Sequence, residues 1–289
     1  MAIALITGTS TGIGFATALA LGRAGHQVYA AMRNPESAPE LQTLAAKESL
    51  PIRILRIDVD NDGSVKEAVR QVLTEHQRID VLVNNAGVSF MGPIEELPLS
   101  VFRQTMETNF FGALRCIQAV VPHMRGQRGG TIINITSVAG RIATASQGSY
   151  AASKFALEAL SEALAQEVKA FNIRVAIVEP GVIHTQIFGK HRTVPADTRY
   201  PHERRLGALF TASLTNPVPP AVVGEQVRDI VENGSWQLRY PVGPDALPFL
   251  QSRASMSDED WVAFWSIPDD ETWCNTVKQS FGLDVRPYL

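Results

Sequence analysis

Short runs of β-branched and other apolar residues alternate along the chain with longer stretches whose apolar positions recur every three or four residues. The short runs read as strands at residues 2–7, 27–32, 52–57, 81–84, 131–135, 174–178 and 237–241. Strands that alternate with helical segments form a parallel sheet covered by helices on both faces, so the pattern predicts an α/β, doubly wound parallel sheet of about seven strands. Residues 13–24 are rich in Ala and Leu and end at Gly25, a residue suited to closing a helix. The clearest helix is 150–169, where Leu157, Leu160, Leu164 and Val168 fall on one face.

Two segments break the alternation. Residues 186–215 show no clean period and mix Ile187, Phe188, Leu206, Leu209 and Phe210 with Lys190, Arg192, Arg199, Arg204 and Arg205. A segment of this kind after a strand end often covers a ligand, so it is expected to be a lid; its basic residues could favour an anionic ligand or form a solvated face. Residues 244–289 carry Trp261, Trp265 and Trp273 among mostly acidic charges. The expected organisation is one domain at residues 1–243, with a C-terminal extension at 244–289 packed on that domain or at an interface.

Composition narrows the function classes. With 289 residues, 45% of them hydrophobic, 19% charged and a formal net charge of -3, the chain has an ordinary globular make-up. Neither nucleic acid nor an anionic membrane is an expected partner, since both attract basic surfaces. No apolar run approaches the roughly 20 residues that span a bilayer, and the N-terminus reads as a strand without a basic leader, so a cytoplasmic location is expected. Cys116 and Cys274 lie far apart and fit two structural thiols. The six histidines are scattered without metal-ligand spacing, and no metal is expected.

After the first strand the chain reads Thr7-Gly8-Thr9-Ser10-Thr11-Gly12-Ile13-Gly14 and enters a helix. Glycines at such a turn let backbone approach a pyrophosphate, which the helix N-terminus then binds. The spacing resembles that of the short-chain dehydrogenase/reductase family, whose fold is Rossmann-like, and the resemblance recurs in order over roughly residues 2–242. Asp58-Val59 matches the family's adenine contact after the third strand. Asn84-Asn85-Ala86-Gly87 matches its motif after the fourth, and Pro180-Gly181-Val182-Ile183-His184-Thr185 matches the segment that holds the nicotinamide amide and phosphate. The resemblance thus implies a cofactor site built from Gly8, Thr9, Ser10, Gly12, Ile13, Gly14, Asp58, Val59, Asn84, Ala86, Gly87, Tyr150, Lys154, Pro180, Gly181, Ile183 and Thr185. His184 either touches substrate or simply fills the loop.

Cofactor choice turns on the end of the second strand. An NAD site places an acidic residue there, to accept hydrogen bonds from the ribose 2′-hydroxyl and repel a 2′-phosphate. Here Met32 takes that position and Arg33 follows. The guanidinium can pair with a phosphate through two hydrogen bonds, so NADP(H) is expected over NAD(H); the alternative is that Arg33 is a solvated charge and both are accepted.

Tyr150 and Lys154, four apart on a helix, share one face. Their spacing alone means little. Ser137 after the fifth strand and Asn109 in the helix before it complete the set by which the family resemblance assigns catalysis. Tyr150 would be the acid or base for a carbonyl or alcohol, Ser137 would hydrogen-bond the substrate oxygen, and Asn109 would hold a water linking Lys154 to a proton relay. A free tyrosine titrates near pKa ~10, and an ammonium about 4 Å away at an effective dielectric of about 20 contributes roughly 4 kcal/mol, near three pKa units downward.

The implied activity is NADP(H)-dependent interconversion of a ketone or aldehyde and an alcohol on a fairly apolar small molecule, most like hydroxysteroid or retinol dehydrogenases. An acyl-carrier-protein ketoreductase is a second enzymatic reading, and a non-catalytic NADP-binding sensor or scaffold is the reading from another class. In the family, the helices holding Asn109 and Tyr150 commonly pack against a second subunit, so a homodimer or monomer is expected. The tail either alters a further subunit contact or folds over the substrate cleft.

Overall fold

The computed structural model describes residues 1–187 and 198–289; Phe188, Lys190 and Arg192 lie outside them. Seven strands, β1 (Ile3–Thr7), β2 (Gln27–Met32), β3 (Ile52–Arg56), β4 (Val81–Asn84), β5 (Gly130–Ile135), β6 (Ile173–Pro180) and β7 (Arg239–Val242), form one sheet in the order β3-β2-β1-β4-β5-β6-β7. Every pairing is parallel. The fold is the Rossmann-like α/β architecture that the alternation predicts.

Because side chains alternate across a strand, both faces of this sheet are apolar and each needs its own layer. Ile3 and Leu5 of β1 face a core built with α3 (Asp62–His76), α5 (Gly112–Gln127) and α6 (Gly148–Val168). Ala4 and Ile6 face the opposite core, built with α1 (Gly12–Arg23), α2 (Glu40–Lys47) and α8 (Ala221–Asn233). Strand order reverses at β1 and β4, and the crevice outside the carboxyl ends of strands at such a reversal is where this architecture binds ligands. Cys116 and Cys274 are both buried and free.

Between α4 (Leu99–Met106) and α5 the chain makes a π-helical turn over Glu107–Phe111, which carries Asn109 inward. Such turns recur at functional sites, since one extra residue re-aims a side chain.

A third core joins the two segments that break the alternation. Residues 202–213, where no period was expected, form α7 (His202–Ser213); the tail forms α9 (Ala246–Ala254), α10 (Asp258–Trp265) and α11 (Asp270–Phe281). Leu206 and Leu209 pack with Phe264, Trp265, Trp273 and Val277, and Met91 joins them from the loop after β4. The helix is hidden from the sequence pattern because Glu203 and Arg205 sit on its buried side. Arg205 is 1% exposed and donates to Asp270 Oδ1 at 2.9 Å, the Ile267 carbonyl at 2.6 Å and the Pro268 carbonyl at 3.2 Å. Its guanidinium lies 5.4 Å from the Trp273 ring centroid. Arg204 pairs with the same Asp270 at 2.5 Å. Arg205 is neither an anion site nor part of a solvated face, while Arg204 is exposed; both fasten α7 to the tail through Asp270. Among the described residues no helix is long and apolar enough to cross a membrane.

Candidate active site

The turn after β1 is shaped by close backbone contacts. Gly8 has φ +70°, and a Cβ there would meet Ala86 Cα at 2.7 Å. A Cβ on Gly14 would meet the Gly8 carbonyl oxygen at 2.3 Å and Asn85 Nδ2 at 2.4 Å. Asn85 fixes the turn by donating from Nδ2 to the carbonyls of Thr7 and Gly8, both at 2.9 Å, and from its backbone N–H to Thr7 Oγ1 at 3.0 Å. Gly8, Ser10, Gly12 and Ile13 then line a cavity at the N-terminus of α1, where Thr11 makes no side-chain cap bond. Backbone N–H groups at such an end favour an anion.

The floor beyond β2 and β3 carries Met32, Arg33, Asp58, Val59 and Asp60. Arg33 is exposed and Met32 is buried. Burial raises the Asp60 carboxyl, opposed by a Thr108 hydroxyl donating to Oδ2 at 3.0 Å and, more weakly, by the Arg33 charge.

Ser137, Tyr150 and Lys154 converge on the other side of the cavity, where β5 ends and α6 begins. Lys154 is buried and donates from Nζ to the Ile135 carbonyl at 2.9 Å, with Nζ 5.6 Å from the Tyr150 ring centroid. Burial pushes the Tyr150 phenol up to about 12, against a hydrogen bond with Ser137. That is opposite to the lowering expected from a neighbouring ammonium. Burial of the phenol itself sets the sign; the lysine is also desolvated and bonded to a backbone carbonyl, and burial holds it down to about 8, with Glu158 pulling the other way.

Glu158 belongs to a buried charge cluster behind the lysine. It accepts from Thr136 Oγ1 at 2.7 Å and Arg239 Nε at 3.1 Å, while Glu179 accepts from Arg141 at 3.1 Å. A lysine whose folded pKa lies below its unfolded value opposes folding fully below about pH 8, and the opposition fades as pH rises from 8 to 10.5. Lys154→Met is therefore expected to stabilise the fold at pH 7 by about 2 to 3 kcal/mol, after allowing for the Ile135 carbonyl left unpaired. Urea midpoints at pH 7 and pH 10 test this: the gain should shrink at the higher pH, and a less stable variant at pH 7 would count against it.

After β6, Pro180, Gly181, Ile183 and Thr185 line the cavity, and a Cβ on Gly12 would meet Thr185 Cγ2 at 3.3 Å. Asp245 holds this loop by accepting from the Val182 N–H at 2.8 Å, packed against Gly181. His184 is exposed and lies off the cavity. Much of the remaining wall is apolar: Leu206, Leu209, Trp261, Trp265 and Phe281 come from the third core, and Phe249 of α9 lies edge-on to Phe281. Four residues of the tail helices, Phe249, Trp261, Trp265 and Phe281, thus line the cavity.

All of this bounds one cavity of about 380 Å³. Of the residues expected at the site, Thr9, Gly14, Asn84 and Asn109 do not line it. Thr9 is buried against the Ala31 carbonyl, Gly14 permits the close turn, and Asn84 donates to Asn134 at 2.8 Å. Asn109 exchanges two bonds with the Val88 backbone, at 2.8 and 2.9 Å, and donates to Ser153 Oγ at 2.9 Å. Asn85, Asp60 and Asp245 are site residues that sequence reasoning did not select.

A family model described as short chain dehydrogenase matches residues 2–195. A 3-ketodihydrosphingosine reductase of Bacteroides thetaiotaomicron is 44% identical over 247 residues, 84% of this chain and 88% of the relative. Retinol dehydrogenase 8 of Bos taurus is 41% identical over 191 residues, 64% of this chain and 60% of the relative. Among solved structures, a short-chain dehydrogenase from Streptomyces avermitilis is similar with a TM-score of 0.79 and 33% identity, covering 91% of this chain and 97% of that one. An alcohol dehydrogenase from the archaeon Thermococcus sibiricus, complexed with 5-hydroxy-NADP, gives a TM-score of 0.69 and 25% identity over 83% of this chain and 95% of its own.

Proposed function

Because the chain belongs to the short-chain dehydrogenase family and is an oxidoreductase acting on a small molecule, we propose that it interconverts a ketone or aldehyde and an alcohol on a fairly apolar compound, with NADP(H) as the preferred cofactor. The observation that carries this is the single cavity that joins the glycine turn and Arg33 to Ser137, Tyr150 and Lys154 under an apolar roof. Relatives named for a 3-keto compound and for retinol support carbonyl and alcohol chemistry.

The residues present fit a dinucleotide. The turn at Gly8 and Gly14 has no room for side chains, and Gly12 and Ile13, which open α1, line the cavity region that would hold the pyrophosphate. Asp58 and Val59 would take the adenine, Arg33 the 2′-phosphate, Ala86 and Gly87 the adjoining ribose side, and Pro180, Gly181, Ile183 and Thr185 the nicotinamide end. The bound nicotinamide supplies or accepts the hydride.

The chain's own residues manage the proton and the developing charge. Tyr150, protonated at neutral pH, donates to the substrate oxygen in reduction and accepts from the alcohol in oxidation. Ser137 hydrogen-bonds the same oxygen. Lys154, held beside the Tyr150 ring by its bond to the Ile135 carbonyl, binds the nicotinamide ribose. Asn109 acts at one remove, tying the Val88 backbone to Ser153 on α6. Phe111 and Phe155, each 42% exposed near these helices, support a dimer through that face; light scattering at the tetramer mass would refute it.

The test is an absorbance assay of NADPH consumption against apolar ketones and aldehydes. Turnover of at least one class is expected; silence across the panel despite tight NADPH binding would favour a sensor instead.

A further inference from the structure

The loop after β6 is tied down through three of its backbone N–H groups. Gly181 donates to the Val242 carbonyl and His184 to the Val218 carbonyl, both at 2.9 Å, so two of the acceptors are backbone. The third is a side chain from the C-terminal extension: Oδ2 of Asp245, which accepts from Val182 at 2.8 Å. Of the three ties this one alone depends on the identity of a side chain, and Gly181, Val182 and Ile183 all line the cavity.

Asp245 is placed from both ends. Gly243, with φ +104°, turns the chain away from β7, and the Asp245 carbonyl accepts from Phe249 N–H at 3.0 Å, the bond that opens α9. That helix carries Phe249 onto the cavity wall. The second carboxyl oxygen, Oδ1, is sealed from solvent without a partner, and a Cβ on Gly181 would come within 2.1 Å of it. Burial raises the pKa of this carboxyl, opposed by the Val182 bond. An unpaired buried oxygen opposes folding, and such a group calls for an explanation beyond the stability of the fold.

We propose that Asp245 is a positioning residue for the nicotinamide half of the cofactor: its hydrogen bond to Val182 sets the loop that would hold the ring, and makes the C-terminal extension part of the cofactor site. This rests on the NADP(H) reading proposed above. Without the acceptor, the buried Val182 N–H is left unpaired, and the loop must shift toward water or another acceptor to satisfy it. The shift falls on residues 181–183. The glycine turn is held separately by Asn85, and Arg33 follows β2, four strands from β6, so the adenine half should bind as before.

The experiment is a calorimetric titration of NADPH and of 2′-phospho-ADP-ribose, the same molecule without its nicotinamide. The wild-type protein is expected to bind NADPH more tightly than the fragment by roughly tenfold or more. Asp245→Ala should weaken NADPH by about tenfold, the size of one hydrogen bond, and leave the fragment within about twofold of wild type. Asp245→Asn offers Val182 an oxygen without the charge and should hold NADPH within about threefold of wild type. Equal loss of both ligands, which a merely structural role would give, overturns the proposal, as does an unchanged NADPH affinity in the Ala variant or an Asn variant no better than Ala. If the Ala variant does not fold, Asp245→Ser decides, because Ser suits the start of α9 but falls one bond short of the Val182 N–H. Failure of the wild-type protein to bind either ligand overturns the NADP(H) reading as well, whereas binding of both with equal affinity overturns only the role of Asp245.

Discussion

Tyr150→Phe is expected to lower kcat by about a thousandfold or more while leaving NADPH affinity within a few fold of wild type. The substitution removes one hydroxyl from a ring that lines the cavity, and with it the proton donor, a function that contributes about 10²–10⁴-fold in enzymes. The cofactor cradle should survive, since Lys154 keeps its bond to the Ile135 carbonyl and the glycine turn is held by Asn85. The pH dependence follows from the direction of the tyrosine shift. A phenol pushed up to about 12 is protonated throughout the neutral range, which suits reduction; oxidation needs the phenolate and should speed up as pH rises. Steady-state turnover with a fluorescence titration of NADPH tests both halves. Near-normal turnover in the variant would remove Tyr150 from the mechanism.

The sheet was legible because its strands obey a local rule. Each of the seven predicted runs overlaps an observed strand, and the largest differences, two residues each, are at the end of β6, which reaches Pro180 rather than 178, and at the start of β7, which begins at Arg239 rather than 237. The glycine turn was legible for the same reason, since Gly8 and Gly14 are required by backbone a few residues away and by Ala86 and Asn85 of an ordered motif. What was not legible depends on partners distant in sequence. The helix α7 has its period broken by Arg205, whose buried charge makes sense only beside Asp270, Ile267 and Trp273. Asp245 carries no local signal, yet it sets the loop at Gly181 and Val182. The sign of the Tyr150 shift was misjudged because spacing gives the distance to a charge but not its desolvation, nor the carbonyl toward which Lys154 turns. The tail's Trp261 and Trp265 could have served an interface or the cleft; their place on the cavity wall supports the second.

Cofactor selectivity should reverse when the end of β2 is rebuilt. Arg33 is exposed at the cavity edge, close enough to Asp60 for its charge to oppose the rise in that carboxyl's pKa. Arg33→Ala is expected to weaken NADPH binding by roughly 10- to 100-fold, the value of a charge-assisted hydrogen bond or two, with little effect on NADH. Met32→Asp should act in the opposite sense on the two cofactors, because a carboxylate at that strand end accepts from a ribose 2′-hydroxyl and repels a 2′-phosphate. Together the two changes should move the ratio of kcat/KM for NADPH over NADH by about a thousandfold. Met32 is 2% exposed, so the new carboxylate would be costly without a partner, and the double variant should bind NADH better than Arg33→Ala alone does. Kinetics with both cofactors on one ketone decide the matter. If Arg33→Ala leaves the NADPH preference intact, Arg33 is a solvated charge and the phosphate is recognised elsewhere in the cavity; if the wild-type protein uses NADH as well as NADPH, the proposed preference itself fails.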